Sequence, residues 1–371
     1  MNFELSEDQS MLQDSVRRWV ETEYHFEARQ SLLAGHDGWS REHWQAFAEM
    51  GWLAVSLPVE RGGLGGGVID AAILAEELGR GLVMESYTAN ALLPATLLDA
   101  VSGEDGEADL ASLLEGTAIW ATAIGDARDA GALIAEREGA GYRLSGRRTM
   151  VAAAPQADHY LVTARSGDGA VSLFRVDSGT GGLGVLPYRL VDGGLAADLV
   201  FDGVVVPEEC RLAADCRAAL GAAIDAATVA TCAEMLGVME QALWMTRDHL
   251  QTRKQFGVAI GSFQALQHRM ADMYMALEQA RAITLRALAA MQHDAGDDRA
   301  DAVSAAKLLV SRSAEQVAAQ AVQLHGGMGV TDESPVSHCF RRLLVLRSLH
   351  GTAAVHQSRL ARRLGRPDER G

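Results

Sequence analysis

The sequence predicts a mainly helical α+β protein in which a small β domain separates two helical regions. Two observations predict it. Apolar residues recur at helical spacing towards both ends of the chain, while between about residues 117 and 212 the period shifts to short β-rich runs separated by Gly-containing turns. Hydrophobic residues make up 48% and charged residues 22% of the 371 positions, which supplies enough apolar material for buried cores. That length suits roughly two or three domains.

The first region covers residues 1–116. Ser6 and Gln9 stand in capping-box spacing, and Leu12, Val16, Trp19 and Val20 follow at helical intervals. Further helices are expected over residues 40–50, ending near Gly51, over 69–78 and over 89–98. Between them lies Glu60-Arg61-Gly62-Gly63-Leu64-Gly65-Gly66-Gly67. A phosphate loop follows a strand and opens a helix, in one class with a Gly-Lys-Ser/Thr run. This one follows helix-like sequence and Leu57-Pro58 and has no such lysine, so it reads as a turn.

The second region, residues 117–212, carries the β-rich runs. Tyr142 to Gly146 reads as a strand and a turn, and residues 159–164, 170–176 and 199–207 read as further strands. Short strands at this spacing predict a small antiparallel barrel or sandwich. In the third region, residues 213–371, Leu266, Met270, Met273 and Leu277 share one helix face and an Ala-rich stretch over 300–322 forms another long helix. A bundle packed along Ala, Leu and Met seams is expected, with a polar, frayed end over residues 362–371.

The net charge of -16 argues against general affinity for nucleic acid or an anionic membrane, though a few local Arg can hold a small anion. Cys210, Cys216, Cys232 and Cys339 match no zinc spacing and no CxxC pair, so free thiols and no metal site are expected. Residues 1–4 show no basic segment leading into an apolar one, and apolar runs are broken by charge short of ~20 residues. A cytoplasmic protein without a membrane span is the expectation.

Two motifs in the third region carry the chemistry. The first is Thr252-Arg253-Lys254-Gln255-Phe256-Gly257, followed by Ile260-Gly261-Ser262-Phe263-Gln264. The second is Gln323-Leu324-His325-Gly326-Gly327-Met328-Gly329-Val330, with Glu333 shortly after. An Arg fork suits phosphate oxygens, adjacent glycines let a backbone approach phosphate, and Gln amides add hydrogen bonds. In this order and architecture the chain resembles the acyl-CoA dehydrogenase family over nearly its whole length. The resemblance implies the acyl-CoA dehydrogenase fold (N-terminal helical domain, middle β-barrel, C-terminal helical bundle), FAD as cofactor and an acyl-CoA substrate. It also implies that Arg253, Gln255, Phe256, Gln264, Gln323, Gly326 and Gly327 contact the ADP end of an FAD seated in a neighbouring subunit.

The pattern fails where that family does its chemistry. The catalytic Glu of a Glu-Gly-Thr run is replaced in Leu349-His350-Gly351-Thr352. The alternative base position falls in Asp225-Ala226-Ala227-Thr228-Val229 on a small residue, with Asp225 near by and Glu234 further along as a structural helix residue. The flavin-ring runs are replaced too. Ala121-Thr122-Ala123-Ile124-Gly125-Asp126-Ala127 stands for Thr-Glu-Pro-x-Ala-Gly-Ser, and Met150-Val151-Ala152-Ala153 stands for Trp-Ile-Thr/Ser. Such one-sided erosion is similar to the small subunits of heteromeric acyl-CoA dehydrogenases, such as the pimeloyl-CoA dehydrogenase small subunit, as are residues 1–7 and Phe26-Glu27-Ala28-Arg29. There a homologous dehydrogenase subunit supplies the Glu, and electrons pass to an electron-transfer flavoprotein or to oxygen. The competing readings are a self-sufficient homo-oligomeric flavoenzyme with His350 or Asp225 as base, and a non-catalytic assembly protein.

Overall fold

The computed structural model describes residues 4–35, 37–101, 106–125, 133–293 and 295–365. Residues 1–3 of the opening run, Asp126 and Ala127 of the flavin-ring run, and 366–371 of the polar end lie outside them. Helices α1 (Glu7–Glu23), α2 (Phe26–Ala34), α3 (Arg41–Glu49), α4 (Val68–Arg80), α5 (Leu93–Val101) and α6 (Glu107–Leu114) come first. Strands β1 (Trp120–Ala123), β2 (Ile134–Glu138), β3 (Gly141–Ala152), β4 (His159–Ser166), β5 (Val171–Asp177), β6 (Leu183–Arg189), β7 (Leu195–Pro207) and β8 (Arg211–Ala213) follow. Then come α7 (Arg217–Thr252), the short strands β9 (Lys254–Gln255) and β10 (Val258–Ala259), α8 (Gln264–His293), α9 (Gly296–His325), α10 (Pro335–Ser348) and α11 (Ala353–Leu364). The helical, β, helical order read from the sequence is the observed one.

Local chemistry sets several boundaries. At the start of α1 the Ser6 hydroxyl accepts from the Gln9 N–H at 3.2 Å and the Gln9 side chain accepts from the Ser6 N–H at 3.1 Å, a complete capping box. At α3 the Ser40 hydroxyl accepts from the His43 N–H, and the Ser40 N–H donates to Glu85 instead. A π-turn over Thr88–Leu92 leads into α5.

By packing, the chain forms two compact units that cut across the three sequence regions. One comprises residues 1–31, 68–83 and 228–371, and the other residues 32–67 and 84–227. In the second, the strands form one eight-stranded sheet of order β6-β7-β3-β2-β4-β5-β8, with β1 also on β4. The expected antiparallel arrangement is corrected here: β4 pairs parallel with both β1 and β2, so the sheet is mixed. The expected turn at Gly146 is corrected as well, because β3 runs on through it and absorbs it as a register shift against β7. Trp120, Leu161 and Leu173 from the sheet pack with Leu97, Leu98 and Leu113 from the helices. The Gly-rich loop is a turn held to Ala54 by the Leu64 N–H, and a Cβ at Gly63 would lie 2.1 Å from the Leu57 carbonyl oxygen.

In the first unit, later α7, α8, α9 and α10 enclose a core that includes Val229, Met235, Met239, Met273, Leu277, Val310 and Leu343. Met273 and Leu277 of the expected seam are buried, and Leu266 and Met270 pack against that core from its edge. Helix α7 corrects the expectation that no helix is long and apolar enough to span a membrane. By composition it is, but 83% of its most apolar stretch is buried within the protein. The sequence hid this because Asp225 and Glu234 interrupt the run without ending the helix.

Candidate functional site

The first motif begins where α7 stops. The Arg253 N–H still donates to the His249 carbonyl, and the Arg253 carbonyl accepts from the Ile260 N–H, which pins the base of the β9–β10 hairpin. The hairpin turns on Phe256 and Gly257, both at positive φ (53° and 83°), as a two-residue primed turn requires. Gly adopts that conformation freely, whereas a bulky Phe pays about 1–2 kcal/mol for it. Phe256 is nevertheless 91% exposed, and its ring meets only the edge of Phe263 at 6.3 Å among the described aromatic rings. The Arg253 guanidinium is exposed and pairs with none of the described residues. Gln255 and Gln264, the latter opening α8, are exposed as well.

The second motif closes α9. Gln323 projects to solvent from the last turn, and the Gly326 N–H donates back to its carbonyl. Gly326 has φ 62° and ψ -140°, a conformation essentially confined to glycine. No atom lies within 4 Å of the place a Cβ would occupy at Gly326 or Gly327, so both glycines face open space.

The structure joins the two motifs through His325 of the second motif and residues that the sequence reading did not single out. The His249 and His325 rings stack at 4.4 Å and 26°, and Arg269 donates to the Gln320 side-chain oxygen at 3.2 Å. His325 Nδ1 donates to the Ala321 carbonyl at 2.8 Å, which fixes the proton of the neutral ring on Nδ1. Burial lowers the pKa of both imidazoles, and for His249 the neighbouring His325 and Arg253 lower it further. A helical offset of four from Arg253 and direct adjacency to Gly326 were the available signals. The result is one exposed face with an uncommitted guanidinium, three free amides, open glycines and a bare aromatic ring. That donor set fits a diphosphate with an attached heterocycle.

His350 lies elsewhere, on the turn between α10 and α11, at φ 55°. Its carbonyl accepts from Nε2 of the buried His356 at 3.1 Å. Burial, then the charge of Lys307 and then His356, pull the His350 imidazole down to about 3, and burial brings His356 to about 4. Lys307 is itself fully buried, donates to the Leu346 carbonyl at 2.6 Å, and is pushed down to about 8 by burial. The His350 imidazole is therefore neutral near neutral pH. Glu234 is committed to Arg342, which donates to one of its oxygens at 2.8 and 2.5 Å. Asp225 is buried on α7.

The flavin-ring runs are neighbours in the second unit. The Gly125 N–H donates to the Thr163 hydroxyl at 3.3 Å, and the buried Arg148 donates to the Thr163 carbonyl at 2.6 Å. A Cβ at Gly125 would lie 2.5 Å from the Arg148 guanidinium. Residues 150–153 offer no ring and no hydroxyl, and Met150 and Ala153 both take positive φ.

This fold with this face defines a flavoprotein of the dehydrogenase type. The description "Acyl-CoA dehydrogenase, N-terminal domain" matches residues 6–105 and "Acyl-CoA dehydrogenase, C-terminal domain" matches residues 217–365. The chain is 30% identical to acyl-CoA dehydrogenase FadE27 of Mycobacterium tuberculosis, over 87% of this chain and 88% of that one. It superposes with a TM-score of 0.92 on a chain of the ChsE4-ChsE5 complex from Mycobacterium tuberculosis, at 29% identity, covering 99% of this chain and 100% of that chain. Against the structure of PigA with FAD and proline the TM-score is 0.89 at 27% identity, covering 98% and 99%. The protein belongs to the acyl-CoA dehydrogenase family. FAD is the cofactor its homologues bind.

Proposed function

We propose that this chain is a cytoplasmic subunit of a heteromeric acyl-CoA dehydrogenase, of the small-subunit type, and that it offers its diphosphate-binding face to FAD seated in a homologous partner. The observation that carries the reading is the contrast between the two kinds of site. Arg253 is exposed and uncommitted, Gly326 and Gly327 face open space, and Phe256 is held bare in a strained turn. At the base position stands the neutral imidazole of His350 in place of a carboxylate, and residues 150–153 lack the ring and hydroxyl of the flavin-ring run.

FAD supplies hydride acceptance when bound. Arg253 neutralises diphosphate charge as a planar fork of donors. Gln255, Gln264 and Gln323 orient the nucleotide through amide hydrogen bonds. Gly326 and Gly327, which carry no side chain, would let the backbone come close to the phosphate oxygens, and Phe256 would cover that contact. The partner contributes the Glu that removes the α-proton of the acyl-CoA thioester. An electron-transfer flavoprotein or oxygen would be the electron acceptor. Co-expression with a candidate homologous dehydrogenase subunit tests the reading. Arg253→Ala in this chain alone should lower the FAD content of the purified complex at least ~10-fold, the scale of one charge-assisted bond to phosphate. An unchanged FAD content contradicts it.

A further inference from the structure

The two halves of the diphosphate-binding face come from helix ends far apart in sequence, and the His249–His325 stack is where those ends meet. His249 lies one helical turn before Arg253, whose N–H donates to its carbonyl. His325 is the last residue of α9 and immediately precedes Gly326. The stack therefore links the backbone that carries Arg253 to the backbone that opens the glycine turn. Both rings are only half-buried, so solvent protons reach them. With Nδ1 of His325 donating to Ala321, its Nε2 has a lone pair to protonate.

We propose that the His249–His325 stack is a proton-taking joint: it positions Arg253 against Gly326–Gly327 and takes up a proton from solvent when the FAD diphosphate seats on this face. The inference rests on the cofactor-face reading above and names a regulation of that same site. The charged groups facing the two rings are each other and Arg253. Without ligand, a proton on His249 adds positive charge beside the Arg253 guanidinium, burial disfavours the charge on either ring, and both pKa values are held below the ordinary His value. A seated diphosphate reverses the sign of the local field and favours the imidazolium. Linkage then requires that FAD binds more tightly as pH falls through the His range, up to about tenfold per pH unit for each proton taken up.

The test is calorimetric titration of FAD into the apo-complex near pH 6.5, in buffers of low and high ionisation enthalpy. The difference in heat gives the protons bound per FAD. The wild-type complex should take up protons. His249→Phe with His325→Phe, which keeps a ring stack but cannot titrate, should bind FAD without proton uptake and with a flat pH profile. His249→Gln serves if the double variant does not assemble, and should lower the uptake. Proton-neutral binding by the wild type, or uptake retained by the double variant, overturns the proposal. If Arg253→Ala leaves FAD affinity unchanged, the face itself is wrongly assigned and the joint falls with it. Lost affinity in Arg253→Ala together with proton-neutral wild-type binding removes the joint alone.

Discussion

Arg342 reaches across the helical core to Glu234 and gives it two hydrogen bonds, one from Nε at 2.8 Å and one from a terminal nitrogen at 2.5 Å. Both side chains are about nine-tenths buried. A carboxylate near the alternative base position is thereby tied into the bundle. Removing one member strands the other, so Arg342→Ala or Glu234→Ala should each destabilise by about 3–5 kcal/mol. Arg342→Met combined with Glu234→Leu should recover most of that loss. Urea unfolding of the three variants is the check.

The glycines of the second motif separate backbone need from ligand need. Gly326→Ala meets a glycine-only conformation and should lose about 1–3 kcal/mol of stability. Gly327 shows neither a positive φ nor a neighbour within 4 Å of an added Cβ. Gly327→Ala should therefore unfold like the wild type yet retain markedly less FAD in the complex. Thermal melts beside flavin absorbance distinguish the two effects.

Lys307 gives an alkaline signature. Its folded pKa of about 8 lies below the usual lysine value of 10.5, so the unfolded chain binds more protons between those limits. Stability should rise with pH across that window, by on the order of 1–3 kcal/mol. Lys307→Met should flatten the rise, as denaturation midpoints from pH 7.5 to 10.5 will show.

His350 and His356 act at the other end of the scale. With folded values of about 3 and about 4 against 6.5, both contribute stability that is present above pH 6.5 and is lost as pH falls through the folded values. His356→Gln should reduce the acid sensitivity between pH 6.5 and 4. His350→Ala should leave the turnover of the complex within about twofold, whereas a general base would forfeit at least ~10²-fold. Steady-state rates decide it.

Local signals made the helices legible. Ser6 and Gln9 announced α1, and the 266–277 seam announced α8. Pairing over distance was not legible. Nothing in residues 120–123 or 134–138 says that both lie parallel to β4, because register depends on partners far along the chain. The Gly146 turn misled for a related reason, since a bulge and a turn look alike until the partner strand is known. In the site, the motif residues were readable from their types and order. The pairing of His249 with His325 was not, because each looks like an ordinary helix-end His until the two helix ends are brought together.

Flavin stoichiometry tests the central claim most directly. The chain is to be purified alone and with a candidate homologous dehydrogenase subunit, and FAD measured by absorbance. Little FAD on the chain alone, with about one FAD per heterodimer on co-expression, is the result expected of a face that completes a partner's site. One FAD per protomer on the chain alone, with acyl-CoA oxidation, would contradict it.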